Sequence, residues 1–378
     1  MKEQPGFCYE LVKNIAFWSN SHGVSYNPCS FYQGFFDQRV SMDQAWHGSA
    51  RKHLINLVSD GQLLPGCNTC YKEESAGRIS RRQSSAKLYE TFINETEIGS
   101  ADQGPTGLDY SIGNLCNLKC MVCGPNNSSS WISDYQKIYP NRDVSNYVSR
   151  KSETLEITDD TILHNIKSVH FHGGGEPLLS DAHIRLLERI DRVKGLGDVR
   201  VFYNTNATVK VDDLVLELWS KCRLIELYFS IDDVGARFEY QRTGAVWNTV
   251  CDNIKWYYNN MPHNHMFNVN CVWSYLNLFY LDQLVDWHQT NLPSNRYGDQ
   301  CNLIFQRAIG KFNITHINSN ALSALKNKFK PYPVLMSLLA DLTVSDQPHH
   351  NFWKAVNQID QVRQSQFTSM CPEWSAVL

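Results

Sequence analysis

The chain has 378 residues, of which 42% are hydrophobic and 19% charged, and its formal net charge is −3. This length allows two or three domains, and the composition is that of an ordinary soluble globular protein. The small negative charge and the lack of a basic tract predict neither a nucleic acid nor an anionic membrane as a partner. Because no apolar run reaches about 18 residues and residues 1–5 lack a signal-peptide pattern, we expect a cytoplasmic protein without a membrane span.

Residues 1–90 are predicted to form a compact unit with its own cysteines. Twelve cysteines in a chain without a secretory signal are better explained as thiols and metal ligands than as disulfides. Cys67 and Cys70 follow a Pro-Gly turn at C-x2-C spacing, so both thiolates can face one metal site, and Cys8 and Cys29 can supply two more ligands. Three alternatives stay open here: a [4Fe–4S] cluster, a structural zinc site with four cysteines, or unligated thiols.

A polar linker is predicted at residues 91–106, after which strands and helices alternate from 107 to 310. The predicted strands are near 107–112, 167–173, 198–205, 223–231, 266–273 and 301–309. The predicted helices are near 129–139, 181–194, 211–221, 236–259 and 278–290. Repeats of this kind imply an α/β fold in which helices cover a parallel sheet, although periodicity alone does not separate an open barrel from a doubly wound sheet. Residues 311–378 are predicted to form a helical extension.

The loop after the first of these strands carries three cysteines. Cys116, Cys120 and Cys123 have C-x3-C-x2-C spacing. Three thiols can hold three irons of a [4Fe–4S] cluster and leave the fourth iron open, whereas electron-transfer clusters usually take four cysteines. A missing fourth ligand suggests that another molecule occupies that iron. A zinc knuckle and a set of buried thiols are the structural alternatives.

Polar or glycine-rich motifs follow the next three strands in order: Gly173-Gly174-Gly175-Glu176-Pro177, Asn204-Thr205-Asn206 and Ser230-Ile231-Asp232. Together with the cysteine loop they resemble the radical S-adenosylmethionine (SAM) enzymes. The resemblance implies a partial (β/α)6 TIM-like barrel over residues 107–310, with the amino and carboxylate groups of SAM on the open iron. The cysteines of residues 1–90 resemble the auxiliary-cluster domain of the twitch and SPASM groups, which favours a second [4Fe–4S] cluster. In many such proteins that domain follows the barrel, whereas here it precedes it.

The resemblance also implies roles for single residues in binding SAM. The glycine loop Gly173, Gly174, Gly175 and Glu176 would bind its amino group. Ser230 would contact its ribose or carboxylate, and Arg242 its carboxylate. Asn204 and Asn206 end a strand where their side-chain amides can pair with ribose hydroxyls. Asp232 is predicted either to cap a helix or to contact the ligand, and Asn270 either to approach the adenosine or to be an ordinary residue of the sheet. Val122 departs from the family pattern, because the residue before the third cysteine is often aromatic there.

Two histidines alternate with apolar residues on the second barrel strand, so His170 and His172 share one face. They are predicted either to lie near SAM and substrate or to be packed with satisfied hydrogen bonds. The sequence names no residue that would act on the substrate itself.

The function implied by the resemblance is reductive cleavage of SAM to a 5′-deoxyadenosyl radical, which abstracts a hydrogen atom from a substrate. A peptide is the leading substrate, and a flavodoxin- or ferredoxin-type protein the expected reductant. Oxidation of a small molecule, such as an aminocyclitol or nucleotide, is the alternative within the same class. A non-catalytic iron–sulfur or zinc scaffold is the alternative from another class.

Overall fold

The structure is a computed structural model. It describes residues 7–20, 23–34, 37, 38, 40–75, 77, 79–92, 104–147, 157, 159–172, 174–292, 301–346 and 349–377. Gly173 of the glycine loop and residues 93–103 of the predicted linker lie outside the described residues.

The strands, in chain order, are β1 (Asn14–Asn20), β2 (Gly23–Asn27), β3 (Asp37–Gln38), β4 (Gly107–Ser111), β5 (Lys119–Cys120), β6 (Ser168–His172), β7 (Arg200–Thr205), β8 (Leu224–Ser230), β9 (Arg242–Thr243), β10 (His265–Trp273), β11 (Asn302–Arg307), β12 (His316–Ile317) and β13 (Thr343–Val344). All six predicted barrel strands are present as β4, β6, β7, β8, β10 and β11.

The helices are α1 (Tyr9–Lys13), α2 (Met42–His47), α3 (Ser49–Ser59), α4 (Asn68–Ser75), α5 (Arg81–Phe92), α6 (Ile132–Ile138), α7 (Ala182–Lys194), α8 (Asp213–Ser220), α9 (Gly235–Gln241), α10 (Trp247–Asn260), α11 (Leu281–Asn291), α12 (Ser319–Lys328), α13 (Pro333–Ala340), α14 (His350–Arg363), α15 (Phe367–Met370) and α16 (Pro372–Val377). The helix predicted at 236–259 is therefore two helices with β9 between them. The chain separates into two units.

The first unit comprises Met1–Gly113, Arg150–Tyr203 and Asp212–Ile225. Its strands follow the order β7-β6-β4-β1-β2-β3. Strands β1, β4, β6 and β7 run parallel, whereas β2 pairs antiparallel with β1 and with β3. The predicted α/β class with a central parallel sheet is confirmed. The additional strand β1, drawn from the cysteine-rich N-terminal segment, was not anticipated from the sequence.

Strand alternation gives this sheet one aromatic and one polar face. Phe17, Tyr110, Phe171 and Tyr203 are in register on four neighbouring strands, and all four are buried. Their successive ring centroids lie 5.1, 5.9 and 4.8 Å apart. The residues between them on each strand point to the other face. That face carries Asp109 and Ser111 of β4, and His170 and His172 of β6.

The second unit comprises Asn114–Ser149, Asn204–Val211 and Glu226–Leu378. Its strands are ordered β11-β10-β8, and β10 and β11 pair in parallel. Two small ribbons complete the unit, an antiparallel pair of β5 with β9 and a parallel pair of β12 with β13. The predicted C-terminal extension is mostly helical, with α12 to α16. Among the described residues, no helix combines the length and the apolar character needed to cross a bilayer.

Candidate functional site

Two side-chain hydrogen bonds and the pairing of β5 with β9 hold the backbone of the cysteine loop in the second unit. Ser130 Oγ donates to the Cys116 carbonyl at 2.7 Å, and Trp131 Nε1 donates to the Cys120 carbonyl at 2.7 Å. The β5–β9 ribbon places Cys120 opposite Arg242. The chain arrives at β9 from α9 and leaves through Gly244, which has a φ of +104°. A Cβ on Gly244 would lie 3.1 Å from the Asn117 carbonyl oxygen, so this close approach requires glycine.

The charges at this loop favour a thiolate at Cys120, whereas the hydrogen bond with Cys120 and burial raise the pKa of Cys123. Arg242 is 7% exposed, its Nη1 lies 3.8 Å from Cys120 Sγ, and its Nε lies 2.9 Å from Asp232 Oδ2. A hydrogen bond from the Cys123 thiol and the nearby Arg242 charge together lower the pKa of Cys120 to about 7, against the opposing effect of burial. A thiolate is the form of cysteine that binds metal. The loop thus has the donor chemistry that an iron–sulfur cluster needs.

Asp232 has its carboxylate oxygens engaged on both sides. One oxygen faces Arg242, and the other accepts the Val272 N–H at 2.8 Å. The side-chain amide of Asn277 binds the Asp232 carbonyl at 2.7 Å. Asp232 therefore fixes the position of Arg242 and joins the end of β8 to β10.

The predicted asparagines lie in two contacts of the second unit. Asn206 Nδ2 donates to Asn117 Oδ1 at 3.0 Å and lies 3.9 Å from Cys116 Sγ. Asn270 Nδ2 donates to Asn204 Oδ1 at 2.9 Å. Asn270 Oδ1 is buried and has no hydrogen-bond partner among the described residues. Leaving a buried acceptor unpaired costs about 1–3 kcal/mol, so this atom suits a ligand donor.

The structure thus brings together within one unit nine of the predicted residues: Cys116, Cys120, Cys123, Asn204, Asn206, Ser230, Asp232, Arg242 and Asn270. Ser230 is the last residue of β8. The glycine loop follows β6 and belongs to the first unit. Gly175 has a φ of +84°, and Glu176 is 1% exposed and accepts the Leu178 N–H at 3.2 Å.

Sequence reasoning missed Arg363 of α14, which also contacts the loop. Its Nε donates to Asp134 at 2.9 Å and its Nη1 to Thr243 Oγ1 at 3.1 Å. Its guanidinium carbon lies 4.5 Å from the centroid of the Trp131 ring. Arg363 adds a second positive charge that lowers the pKa of Cys120. No local pattern signals this role, because Arg363 stands in an ordinary helical context.

The four N-terminal cysteines lie close enough to interact electrostatically within the first unit. Burial raises the pKa of Cys8 to about 12 and that of Cys67 to about 11, and it raises those of Cys29 and Cys70 as well. The negative charge of each thiolate also raises the pKa of a neighbouring thiol: Cys67 that of Cys8, Cys8 that of Cys29, and Cys70 that of Cys67. Thiols release their protons when they bind a metal, so these four cysteines are candidate metal ligands.

Hydrogen-bond donors lie beside three of these sulfurs, whereas the Glu10 carboxylate raises the pKa of Cys8 and Cys29, and the carboxylates of Glu73 and Glu74 raise that of Cys70. Cys8 is the N-cap residue of α1, and the backbone of Glu10 and Leu11 lowers its pKa. A hydrogen bond with the Tyr71 hydroxyl lowers the pKa of Cys67, and one with the Arg82 backbone lowers that of Cys70. Hydrogen bonds to the sulfurs are one of the means by which proteins tune iron–sulfur clusters. The donors favour negatively charged sulfurs, and the neighbouring carboxylates oppose them.

Gly66 stands in the turn that leads to Cys67 and Cys70. A Cβ at Gly66 would lie 2.4 Å from the Tyr32 ring, so only glycine fits. Among the residues that the structure describes, no three His, Cys, Asp or Glu side chains surround a point where one metal ion would bind. That finding concerns single-ion sites, whereas the cysteines of a four-iron cluster each bind a different iron.

A cavity of about 670 Å³ lies elsewhere in the first unit, lined by Asp43, Gln44, His47, Gly104, Asp159, Thr161, Ile162 and Asn165. Gly104 precedes β4, and residues 159–165 precede β6, so this cavity is at the amino ends of those strands. Ligands of barrels and open α/β sheets bind at the carboxyl ends. We therefore place the candidate site at the cysteine loops.

Comparison with known proteins agrees with the chemistry of the cysteine loop. The family model described as the Radical SAM superfamily matches residues 110–272. These 163 of the chain's 378 residues are therefore similar to that family. No curated protein has a significant sequence match to the chain.

Several solved structures show distant likeness. Streptococcus suis SuiB bound to S-adenosylmethionine is 14% identical, with 85% of this chain and 68% of that chain covered and a TM-score of 0.37. Native anSMEcpe with bound AdoMet is 16% identical, with 64% of each chain covered and a TM-score of 0.40. TYW1 with a lysine-pyruvate adduct is 12% identical, with 57% and 70% covered and a TM-score of 0.31. TM-scores this low support no conclusion about the activity of this chain.

Proposed function

We propose that this chain is a radical SAM enzyme that cleaves SAM reductively and abstracts a hydrogen atom from a peptide. The observation that carries the proposal is the loop of Cys116, Cys120 and Cys123, with Arg242 held between Asp232 and Cys120 Sγ. The loop offers three thiols rather than four, which leaves one iron of a cubane for a ligand other than cysteine.

The residues of this chain would divide the work as follows. A [4Fe–4S] cluster on the three cysteines would supply the electron that converts SAM to methionine and a 5′-deoxyadenosyl radical, which takes a hydrogen atom from the substrate. Arg242 would pair with the SAM carboxylate, and Asn270 Oδ1 would accept a hydrogen bond from the nucleoside. Gly174, Gly175 and Glu176 would bind the amino group. These groups orient the ligand so that one substrate C–H bond lies next to C5′.

A second [4Fe–4S] cluster on Cys8, Cys29, Cys67 and Cys70 would exchange an electron with the substrate. The support for it is the electrostatic interaction among these four thiols, of which Cys29 and Cys70 are buried, and the hydrogen-bond donors beside three of them. A structural zinc ion with the same four ligands is the competing proposal. It would exclude the electron exchange, because zinc has no redox role. The peptide substrate rests on the family resemblance alone, and oxidation of a small molecule stays the alternative.

The test begins with anaerobic reconstitution of the full chain with iron and sulfide, followed by incubation with SAM and dithionite. We expect 5′-deoxyadenosine and methionine in equal amounts from the wild-type chain. The variant in which Cys116, Cys120 and Cys123 are all alanine should form neither product. Its matched control replaces Cys222, Cys251 and Cys301, which carry no ligand spacing, and should retain activity. Formation of 5′-deoxyadenosine by the loop variant would refute the proposal.

A further inference from the structure

The β5–β9 ribbon of the second unit is very short, and each of its strands has only two residues. Its register pairs Lys119 with Thr243 and Cys120 with Arg242. A slip of one residue turns the side chains of a strand to the opposite face. Such a slip would turn Arg242 away from Cys120, so the proposed SAM site requires one register of a ribbon that two residue pairs specify only weakly.

The two residue pairs of the ribbon use opposite faces. Cross-strand partners share a face, whereas neighbours along a strand point to opposite faces. Cys120 and Arg242 share one face, where Arg242 Nη1 lies 3.8 Å from Cys120 Sγ. Lys119 and Thr243 share the other face. A group that contacts Lys119 and Thr243 can therefore fix the register from behind the cysteine.

On that second face a buried carboxylate joins two cations. Asp134 of α6 is 3% exposed. Its Oδ1 accepts a hydrogen bond from Lys119 Nζ at 3.0 Å, and its Oδ2 accepts one from Arg363 Nε at 2.9 Å. Arg363 of α14 also donates through Nη1 to Thr243 Oγ1 at 3.1 Å. These charges therefore contact both members of the Lys119–Thr243 pair.

The Arg363 side chain has little freedom to move, because it is 5% exposed. Its guanidinium carbon lies 4.5 Å from the centroid of the Trp131 ring, and Trp131 Nε1 donates to the Cys120 carbonyl. Its Nη1 lies 3.4 Å from Met121 Sδ. The guanidinium thus contacts the residue that follows Cys120 and the ring that is bonded to the Cys120 carbonyl.

Lys119, Asp134 and Arg363 form an ion triad that stability alone does not explain. The loss of water around buried charges can cancel their attraction, and apolar side chains of similar volume often give equal or greater stability. The best attested role of buried polar or ionic groups is to select one register or one packing arrangement. The ion triad contacts the very pair that a slip of the ribbon would separate, which fits that role.

We propose that the ion triad sets the register of the β5–β9 ribbon. Arg363 is then a positioning residue, which keeps Arg242 on the same face as Cys120. The inference rests on the proposed function for the importance of this register, whereas the effect of the ion triad on the ribbon needs no bound cluster. It also assigns a role to α14, which lies outside the residues that the family model matches.

Hydrogen exchange of the full chain, before any reconstitution with iron, tests the inference. The Met121 N–H donates to the Gln241 carbonyl at 2.7 Å, and a slipped ribbon would lose this bond, so Met121 provides the reporter amide. We expect Arg363→Gln to speed its exchange roughly ten- to a hundredfold, because a charge-assisted hydrogen bond is lost. Mass spectrometry with fragmentation to single residues measures this, with the amides of α10 as the internal reference.

Two controls and a second variant accompany this measurement. Arg307 pairs with Asp341 at 3.0 Å in the same unit and outside the ribbon, so Arg307→Gln should leave the reporter amide unchanged. Lys119→Met removes the contact of the ion triad with β5 at a partly exposed side chain, so it decides the question if Arg363→Gln fails to fold. It should also speed exchange of the reporter amide, whereas Lys137→Met at an exposed position of α6 should not.

An apolar version of the ion triad separates register from stability. In the variant with Lys119→Met, Asp134→Leu and Arg363→Met, the unfolding free energy in urea should stay near the wild-type value, because apolar replacement of buried ions is often neutral. The reporter amide should nevertheless exchange faster than in the wild type. A triad that only stabilised the fold would leave that amide protected in the apolar variant.

Wild-type exchange of the reporter amide in Arg363→Gln, or in the apolar variant, would overturn the inference. Equally fast exchange in Arg307→Gln would do the same, because the effect would then not belong to the ion triad. No iron or SAM is present in these measurements. A chain that forms no 5′-deoxyadenosine would refute the proposed function and leave this result unchanged, so either proposal can fail alone.

Discussion

Arg242 is the residue whose environment best defines the proposed SAM site. It lies next to Cys120 Sγ and is oriented by Asp232. A charge-assisted hydrogen bond contributes about 1.5–3 kcal/mol, so we expect Arg242→Ala to weaken SAM binding roughly ten- to a hundredfold. Anaerobic equilibrium dialysis with labelled SAM measures this. Arg237→Ala is the matched control, because Arg237 pairs with the neighbouring Asp233 at 3.1 Å and does not contact the cysteines.

Removal of Arg242 leaves the Asp232 carboxylate buried without its cation, which is itself destabilising. The double variant Arg242→Ala with Asp232→Asn removes that complication. We expect the double variant to bind SAM as weakly as the single one. Wild-type affinity in the double variant would assign Arg242 a structural role only.

His172 makes a second prediction, on the pH dependence of stability. Its pKa in the folded chain is about 3, below the ordinary value of about 6.5, so only the unfolded chain takes up its proton as the pH falls. The contribution of His172 to the free energy of unfolding is therefore fully present above about pH 6.5, and it is lost as the pH falls toward 3. Between pH 7 and pH 5 the loss is about 2 kcal/mol.

Urea unfolding at pH 7 and pH 5 measures that loss. We expect His172→Gln to lose about 2 kcal/mol less than the wild-type chain between the two values. His53→Gln is the control, because His53 is exposed, and should behave as the wild type. The same loss in His172→Gln and in the wild type would contradict the assignment of a neutral buried imidazole.

At the scale of the element, the β5–β9 ribbon joins the cysteine loop to Arg242, and Gly244 permits it. An alanine at Gly244 would adopt a φ of +104° with its Cβ 3.1 Å from the Asn117 carbonyl oxygen. Holding a residue in such a conformation costs about 1–3 kcal/mol. We expect Gly244→Ala to lower the unfolding free energy by that amount and to reduce iron retention in the cysteine loop.

Gly124 provides the control for this substitution. It lies just after Cys123, has no atom within 4 Å of its would-be Cβ, and lacks a positive φ. Gly124→Ala should leave both stability and iron content near those of the wild type. Equal effects of the two substitutions, measured by urea unfolding and iron assay, would show that the ribbon does not hold the loop.

The barrel strands could be predicted from the sequence because each is a short apolar run with turn residues at both ends. The prediction of one helix over 236–259 was wrong. Cross-strand pairing of Arg242 with Cys120 competes with local helix propensity and breaks the helix at β9. Strand β1 was missed because its partner β4 is distant in the chain, and pairing of that kind leaves no local pattern. Arg363 was missed for the same reason, since its contact with the loop depends on how α14 packs.

Among the predicted site residues, the motifs at strand ends could be found because parallel strands present their carboxyl ends to ligands. The side chains that contact these motifs could not be predicted from the sequence. Asp232 was predicted as a cap or a ligand, and the structure shows its carboxylate between Arg242 and the Val272 N–H. Side-chain partners of this kind depend on tertiary packing rather than on spacing along the chain.

At the scale of the whole molecule, the number of irons separates the proposed two-cluster enzyme from its alternatives. Two four-iron cubanes predict about eight irons per chain, and the triple variant of Cys116, Cys120 and Cys123 should keep about four. Replacement of Cys8, Cys29, Cys67 and Cys70 should likewise leave about four irons. Metal analysis by mass spectrometry after anaerobic reconstitution gives these counts.

The same measurement identifies the competing zinc site. If the triple variant holds one zinc and almost no iron, the N-terminal cysteines form a structural zinc centre. The proposed electron exchange would then be wrong, while SAM cleavage at the other loop could still be tested on its own. Replacement of Cys222, Cys251 and Cys301 is the control and should not change the metal content.

The parallel pairing of β1 with β4 has a consequence for synthesis on the ribosome. Asn14 is paired with Gly107, so β1 cannot take its place in the sheet until β4 has left the exit tunnel. Chains fold from the N-terminus at the rate of translation, and pairing between distant segments is slow. During that interval the early cysteines are present without the completed sheet that later supports them. Insertion of metal into the proposed N-terminal centre should therefore follow translation of β4, and nascent chains truncated before Gly107 should not hold the metal stably.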